Sequence, residues 1–347
     1  MTVDLMGQLF HYAKTGADLV VALIDRSDKR AQTKLQKDRK AEAAKAKAIA
    51  KQLGRKPSGQ DLRVEDALFT SKHACVTEMQ RYENVEEFAQ AKKDDKHNGS
   101  KPHTIADMAS LRELARGRTI KAAMGIFRIR FPASEARKDG GGQEVLAGDK
   151  VPKLREALLE GASDHKPLPA AWKNKPAEKV FQQVALYATT SQHPTLQGWE
   201  RQGLASCRYQ ETGTREILAI CVKDLLSFAA DANVQRDEGM SYKDFLDKVL
   251  DALRSALDGF KDQGGVIYKT MLRPMEFCYM PMGYYVLERT VGDVHGYGYR
   301  TAAYDNNAEN LTVLELMKSQ MEAAAGQGHS LVRFWKLILD AKVPKTG

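Results

Sequence analysis

The 347 residues carry 53 Lys/Arg against 45 Asp/Glu, a formal net charge of +8, with 43% hydrophobic and 28% charged residues. No apolar run approaches the roughly 20 residues of a membrane-spanning helix, and residues 1–10 hold Asp4 but no Lys or Arg, which speaks against a secretory signal. Cys75, Cys207, Cys221 and Cys278 stand far apart without a C-x-x-C pair, which excludes the usual zinc-finger spacings and argues against a disulfide framework.

The expectation is a cytoplasmic or nuclear protein with buried thiols. Its charge is uneven. Residues 1–60 hold 13 Lys/Arg and 6 Asp/Glu, which leaves 40 against 39 for the other 287. A nearly neutral body therefore wears a basic arm, suited to nucleic acid or another acidic partner through residues 26–56.

Apolar spacing predicts one or two helices over residues 2–24, and Ala, Lys, Arg and Gln predict a long basic helix from Arg26 that ends near Gly54. Pro57-Ser58-Gly59 reads as a hinge. Residues 61–92 read as helical again, residues 92–102 as a linker, and Thr104 as a cap for the next helix. Ile126-Phe127-Arg128-Ile129-Arg130-Phe131 alternates like a strand. Asp139-Gly140-Gly141-Gly142 reads as a flexible loop, because the Gly-Lys-Ser/Thr that completes a phosphate loop is absent.

Short helices are expected at 151–160 and 176–188. Residues 203–222 read as a hairpin bent at Gly213. A Ser241–Asp244 capping pair opens a helix whose stripe runs through Phe245, Leu246, Val249, Leu250, Leu253, Leu257 and Phe260. Strands follow at 266–272, 277–280, 284–289 and 296–302. Two helices close the chain, one through Leu314, Met317 and Met321, the other through Leu331, Phe334, Trp335 and Ile338. The expected units are a basic helical arm (1–60), a helical region (61–118), an α+β body (119–305) with a helix inserted at 241–262, and C-terminal helices (306–347). The fold class is α+β, with a small antiparallel barrel or sheet surrounded by helices.

One stretch carries a resemblance. Pro274-Met275-Glu276-Phe277-Cys278-Tyr279-Met280-Pro281-Met282-Gly283-Tyr284-Tyr285-Val286 is similar to the late P-G-D-x-L-Y-x-P-x-G-W-x-H motif of cupins and JmjC-type hydroxylases. Upstream, Cys207-Arg208-Tyr209-Gln210-Glu211-Thr212-Gly213-Thr214-Arg215-Glu216-Ile217-Leu218 resembles their L-x-x-Q-x-x-G-x-R/K-x-x-x-L. The resemblance spans about residues 199–302 and implies a double-stranded β-helix, the cupin-like barrel. In that family an early His-x-acid or His-x-His and a late His hold the metal, with open positions for substrate and oxygen. Here the late position is Val286, and Gly198-Trp199-Glu200-Arg201 stands where the early pair belongs. His193 is followed by Pro194-Thr195, and His295 lies nine residues past Val286. The resemblance therefore implies a degenerate, metal-free body with no cofactor.

The eight histidines are scattered, and no Ser sits in a G-x-S-x-G elbow. Catalytic residues are not expected. Tyr209, Arg215, Tyr279 and Tyr285 are read as inward-facing and able to line a pocket for a small anion or ring. Arg39, Lys40, Lys45, Lys47, Lys51, Arg55 and Lys56 are read as phosphate contacts along one helix. The readings are a non-enzymatic binding or scaffold protein, a nucleic-acid-binding protein that uses the basic arm, and, third, an Fe/2-oxoglutarate-type oxygenase with other ligands.

Overall fold

The computed structural model describes residues 67–130, 141–146, 152–163, 165–173, 176–189, 196–199, 203–291 and 296–341. The helices expected before residue 61, and the seven basic residues from Arg39 to Lys56, lie outside the described residues.

The described chain begins with helix α1 (Ala67–Thr70), strands β1 (Val76–Glu78) and β2 (Gln80–Asn84), helix α2 (Val85–Lys93) and strand β3 (His103–Asp107). The helical reading of 61–92 is thus corrected. β1 pairs in parallel with residues 267–269, and β2 in parallel with β3. The β1 partner lies far along the chain and leaves no local signature. Asn84 ends β2 and caps α2, its side chain accepting from Glu87 N at 2.9 Å. Thr104 is no cap. It is a buried residue of β3, and helix α3 (Ala109–Ala115) starts without a side-chain cap.

Helix α4 (Arg118–Arg130) replaces the strand expected at 126–131. Ile120, Met124 and Phe127 are buried at helical spacing, while Ile126 is 52% exposed. The apolar–basic alternation is therefore a helix edge. Gly141 and Gly142 open strand β4 (Gly141–Leu146) instead of a loop, because their backbone pairs with Thr189 and Ala188. Helix α5 (Pro152–Glu160) falls where expected, and the segment 176–188 divides into helix α6 (Pro176–Gln182) and strand β5 (Val184–Thr189). Val184 to Ala188 are buried on both faces, so period-two alternation is absent and the strand reads like buried helix.

Strand β6 (Leu196–Trp199) precedes β7 (Ala205–Thr212) and β8 (Thr214–Cys221). The turn at Gly213, φ +74°, is present, but the hairpin is not. β7 joins one sheet between β10 and β12, and β8 joins the other between β9 and β11. Six consecutive buried residues in each strand hide which side faces which sheet. Helix α7 (Val222–Asp231) follows. Ser241 then caps helix α8 (Tyr242–Leu253), with its Oγ accepting from Asp244 N at 3.1 Å. The single helix expected at 241–262 breaks at Arg254–Ala256 and resumes as α9 (Leu257–Asp262). Strands β9 (Ile267–Leu272), β10 (Phe277–Met280), β11 (Tyr284–Val291) and β12 (Gly296–Ala303) match expectation to within two residues, and helices α10 (Ala308–Ala325) and α11 (Ser330–Asp340) close the fold.

The architecture is mixed α+β with two sheets, ordered β1-β9-β8-β11-β6 and β2-β3-β10-β7-β12-β5-β4. Among the described residues they do not close into a barrel, and the parallel pairs β1/β9 and β2/β3 make both sheets mixed. From β7 to β12 the chain crosses between sheets four times, so β9-β8-β11 and β10-β7-β12 face each other strand by strand. Ile217, Ala219, Leu272, Tyr284 and Val286 from the first sheet meet Cys278 and Met280 from the second. Helices α5 and α6 cover the outside of the seven-stranded sheet, and α7 and α8 that of the five-stranded one.

The Pro281-Met282-Gly283 turn is one of these crossings. Gly283 has φ +75°, and a Cβ there would land on Val313 Cγ1 of α10. Its carbonyl accepts from Val222 N at 2.8 Å and its own N–H donates to Gly203 O at 3.0 Å. A glycine is required twice over, by backbone conformation and by the helix seated on it.

Leu250 is fully buried on α8. Leu250→Ala is expected to cost about 2–5 kcal/mol, the usual range for truncating a buried leucine, read from urea melts. A loss below about 0.5 kcal/mol would mean that α8 is only loosely attached.

Candidate functional site

The interior between the sheets has two characters. One end is apolar, formed by Met79, Ile217, Leu272, Cys278, Met280, Tyr284 and Val286. Val286, at the late metal-ligand position of the cupin-type motif, is 3% exposed and packs here as hydrocarbon. Gly198 and Trp199 lie in β6 opposite Val286 and Tyr285. His193, Glu200 and His295 lie outside the described residues. Among the described residues no three His, Cys, Asp or Glu side chains converge on a possible metal position. A hydrocarbon environment of this kind does not fit a resident iron.

The other end is charged. Alternation along β7 turns Arg208 and Gln210 inward, and on β12 Arg300 lies directly across from Arg208. From the facing sheet β8 supplies Arg215 and β11 supplies Glu288. Glu288 accepts from Arg208 Nη1 on one carboxylate oxygen and from Arg215 Nη2 on the other. Arg208 and Arg215 are each 3% exposed and Glu288 7%. Arg300 is half-buried, so the cluster reaches toward solvent through it.

Tyr187 of β5 lies under all three guanidiniums, whose carbons stand 5.7 Å (Arg208), 5.0 Å (Arg215) and 5.8 Å (Arg300) from its ring centroid. Such cation–π contacts gain in strength once desolvated. The Tyr187 hydroxyl donates to Gln210 Oε1 at 2.9 Å and lies 3.2 Å from Tyr209 O. Burial raises its pKa, though Arg215 and Arg208 pull the other way, so the ring stays a neutral donor. Gly298 makes room, since a Cβ there would collide with the Tyr187 hydroxyl and Tyr209 O.

The electrostatics follow from burial. Desolvation raises the Glu288 pKa, but Arg208 and Arg215, with Arg300 adding to them, outweigh it and hold the carboxyl down at about 2. Arg208 and Arg300 are like charges directly opposed across a ladder, an arrangement that costs free energy unless an anion lies near both. Arg215 Nε and Ser206 Oγ are buried without a hydrogen-bond partner.

Of the four pocket residues read from sequence, only Arg215 faces this interior. Tyr209 stacks on Tyr299, and Tyr279 donates to Asp305 Oδ2 at 2.9 Å, both on the helix-covered side of the seven-stranded sheet. Tyr285 donates to Asp247 of α8, outside the other sheet. The four do not form one pocket. Arg208, Arg300, Glu288 and Tyr187 were missed, and the signal for them was thin: a charged residue inside an otherwise buried strand.

Two other constellations carry chemistry-bearing groups. His73 donates from Nε2 to Asp258 Oδ1 at 2.8 Å, and its Nδ1 lies 3.1 Å from Cys75 Sγ. This has the connectivity of a Cys–His–acid site. However, Cys75 is 3% exposed and burial raises its thiol pKa, so it is no ready thiolate. His97 joins Tyr82 Oη and Ser163 Oγ, each at 2.8 Å, and packs by His103 and Phe88. Ser163 is 1% exposed, and burial, reinforced by His97, lowers the His103 pKa well below the usual value. In both constellations the nucleophile itself is buried.

Glu288→Gln should cost about 3–5 kcal/mol, because it strips buried guanidiniums of their carboxylate. The Glu288 folded pKa is lowered, so its stabilisation is fully present above pH 4.5 and is lost as pH falls toward about 2. Urea melts across that window should show wild type losing one more proton-linked step than Glu288→Gln. Equal slopes would mean that the carboxylate is not paired as described. No protein-family model and no curated protein matches this chain, which leaves the chemistry of its own residues as the guide to function.

Proposed function

We propose that the chain is a non-enzymatic binding or scaffold protein built on a metal-free, cupin-like two-sheet body. The observation that carries this reading is the interior packing around Val286. Where the resembled family sets an imidazole, this chain sets a hydrocarbon side chain 3% exposed, among Met79, Ile217, Leu272, Cys278 and Met280. An oxygenase of the Fe/2-oxoglutarate type needs two imidazoles and a carboxylate converging with open positions beside them. Loss of the ligand set with retention of the turn glycines and sheet crossings is what a binding body descended from such a fold would keep. Purified protein is expected to carry no stoichiometric transition metal. Elemental analysis that finds one iron or zinc per chain, lost on changing a histidine within 190–300, overturns the reading.

A second reading, nucleic-acid binding, is favoured by one feature alone, the excess of 13 Lys/Arg over 6 Asp/Glu in residues 1–60. Contacts would be to phosphate through residues such as Lys45, Lys47 and Lys51, so affinity would ignore sequence and follow counterion release. The log–log salt slope would be about −0.9 per neutralised phosphate on duplex DNA, and replacing those three lysines by Gln would flatten it by up to about three units. Equal slopes for the two proteins, or no binding at low salt, would remove the arm from consideration.

A further inference from the structure

At the polar end of the interior, Arg215 holds a donor that the carboxylate beside it does not use. A guanidinium brings about five N–H donors and a carboxylate about four lone-pair sites. Both Glu288 oxygens are already engaged, Oε1 by Arg208 and Oε2 by Arg215. Arg215 spends Nη2 on that bond, while its Nε, inside a side chain 3% exposed, has no hydrogen-bond partner. Ser206, one inward position before Arg208 on β7 and 1% exposed, has an unpartnered Oγ. A buried donor left without an acceptor costs free energy, more when it is charged. A ligand oxygen that accepts from Arg215 Nε recovers that cost.

We propose that Arg208, Arg215 and Arg300, backed by the Tyr187 ring, form a binding site for a small oxyanion, the carboxylate or phosphate group of a small molecule. The assignment rests on the binding-protein reading above and names the chemistry of its ligand. Three guanidiniums from two facing sheets converge on one aromatic ring, and planar forks suit the oxygens of either group. Glu288 holds Arg208 and Arg215 through one oxygen each, which fixes the two forks relative to one another. Hydrophobic replacement of such a cluster usually stabilises a fold, so a buried arginine group this rich is poorly explained by stability alone.

The cluster lies near strand ends. Arg215 is the second residue of β8, and its ladder partner Thr290 is half-buried, next to Val291, which is 38% exposed. The site therefore lies by the end of the central strand of the five-stranded sheet. Arg300 extends from it toward solvent.

The other buried carboxylate pairs are balanced differently. Glu216, on the outer face of β8, pairs with Lys269 at 2.8 Å and Arg289 at 2.6 Å, both cations partly exposed to water. Glu276 pairs with Arg81 at 2.8 Å and accepts from Arg273 N at 2.8 Å. Solvent screens the excess charge at both. Arg208, Arg215 and Glu288 are instead nearly sealed from water.

The test uses metal-checked, full-length protein titrated with inorganic phosphate, with malonate, and with chloride at matched ionic strength. Arginine Nε–H resonances and thermal melts are followed for wild type, Arg215→Lys and the exposed control Arg333→Lys. A saturable shift of a buried arginine Nε–H and a rise in Tm with phosphate, malonate or both, absent with chloride, is expected. Response to phosphate alone assigns a phosphate-bearing ligand, and response to malonate alone a carboxylate. Arg215→Lys keeps the charge but loses the fork and Nε, and should weaken binding about tenfold while Arg333→Lys binds as wild type. Oxyanions that act no differently from chloride up to tens of millimolar overturn the site, as does a folded Arg215→Lys that responds like wild type. Should Arg215→Lys fail to fold, the wild-type Nε–H titration decides by itself. A stoichiometric metal in the starting protein would strike the binding-protein reading, whereas silent titrations of metal-free protein strike only the oxyanion site.

Discussion

The constraint on which the rest of this structure depends is the strand-by-strand crossing between two facing sheets. β7, β8, β10, β11 and β12 each present one side to the other sheet and one side to helices. Neither side is left fully to water, so the side chains must pack or be paired. The crossings rest on a few backbone positions, with Gly213 and Gly283 adopting φ near +75°. Gly283 also has Val313 of α10 directly upon it. Helix α10 thereby locks the turn by which the chain passes from β10 in one sheet to β11 in the other.

Within that frame the placement of charge separates structure from candidate function. Glu216 and Glu276 sit where partly exposed cations can meet them, and their arrangement needs no further explanation. Glu288 is different. It anchors two arginines inside the sandwich while a third lies across the ladder from one of them. The Tyr187 ring lies 5.0–5.8 Å from all three guanidinium carbons, in space left because Gly298 has no side chain. The result is a rigid set of forks whose orientation is fixed by an aromatic ring and by a carboxylate.

Burial is what distinguishes this cluster from the two catalytic-looking constellations. Cys75–His73–Asp258 and Ser163–His97–Tyr82 have the connectivity of nucleophile, base and orienting group. Yet each nucleophile is nearly sealed, and desolvation holds the Cys75 thiol in its protonated form. Connectivity without access or activation amounts to a satisfied hydrogen-bond network.

The sequence by itself determined those elements whose signal is local. The Ser241 cap and the apolar stripe of α8 are read from spacing of three and four, and strands β9 to β12 from alternation and turn residues. The same holds for α10, α11 and the need for glycine at the Pro281-Met282-Gly283 turn. Tertiary structure alone decided which strands pair. β1 takes a parallel partner at residues 267–269, β2 pairs in parallel with β3 across helix α2, and β5 is buried on both faces, so no local period announced them. The hairpin at Gly213 failed for the same reason, because continuous burial conceals which face meets which sheet. The charged cluster inherits that dependence. Arg215 was legible as an inward residue, but Tyr187, Arg208, Glu288 and Arg300 come from four other strands, and only the folding of two sheets face to face brings their side chains onto one another.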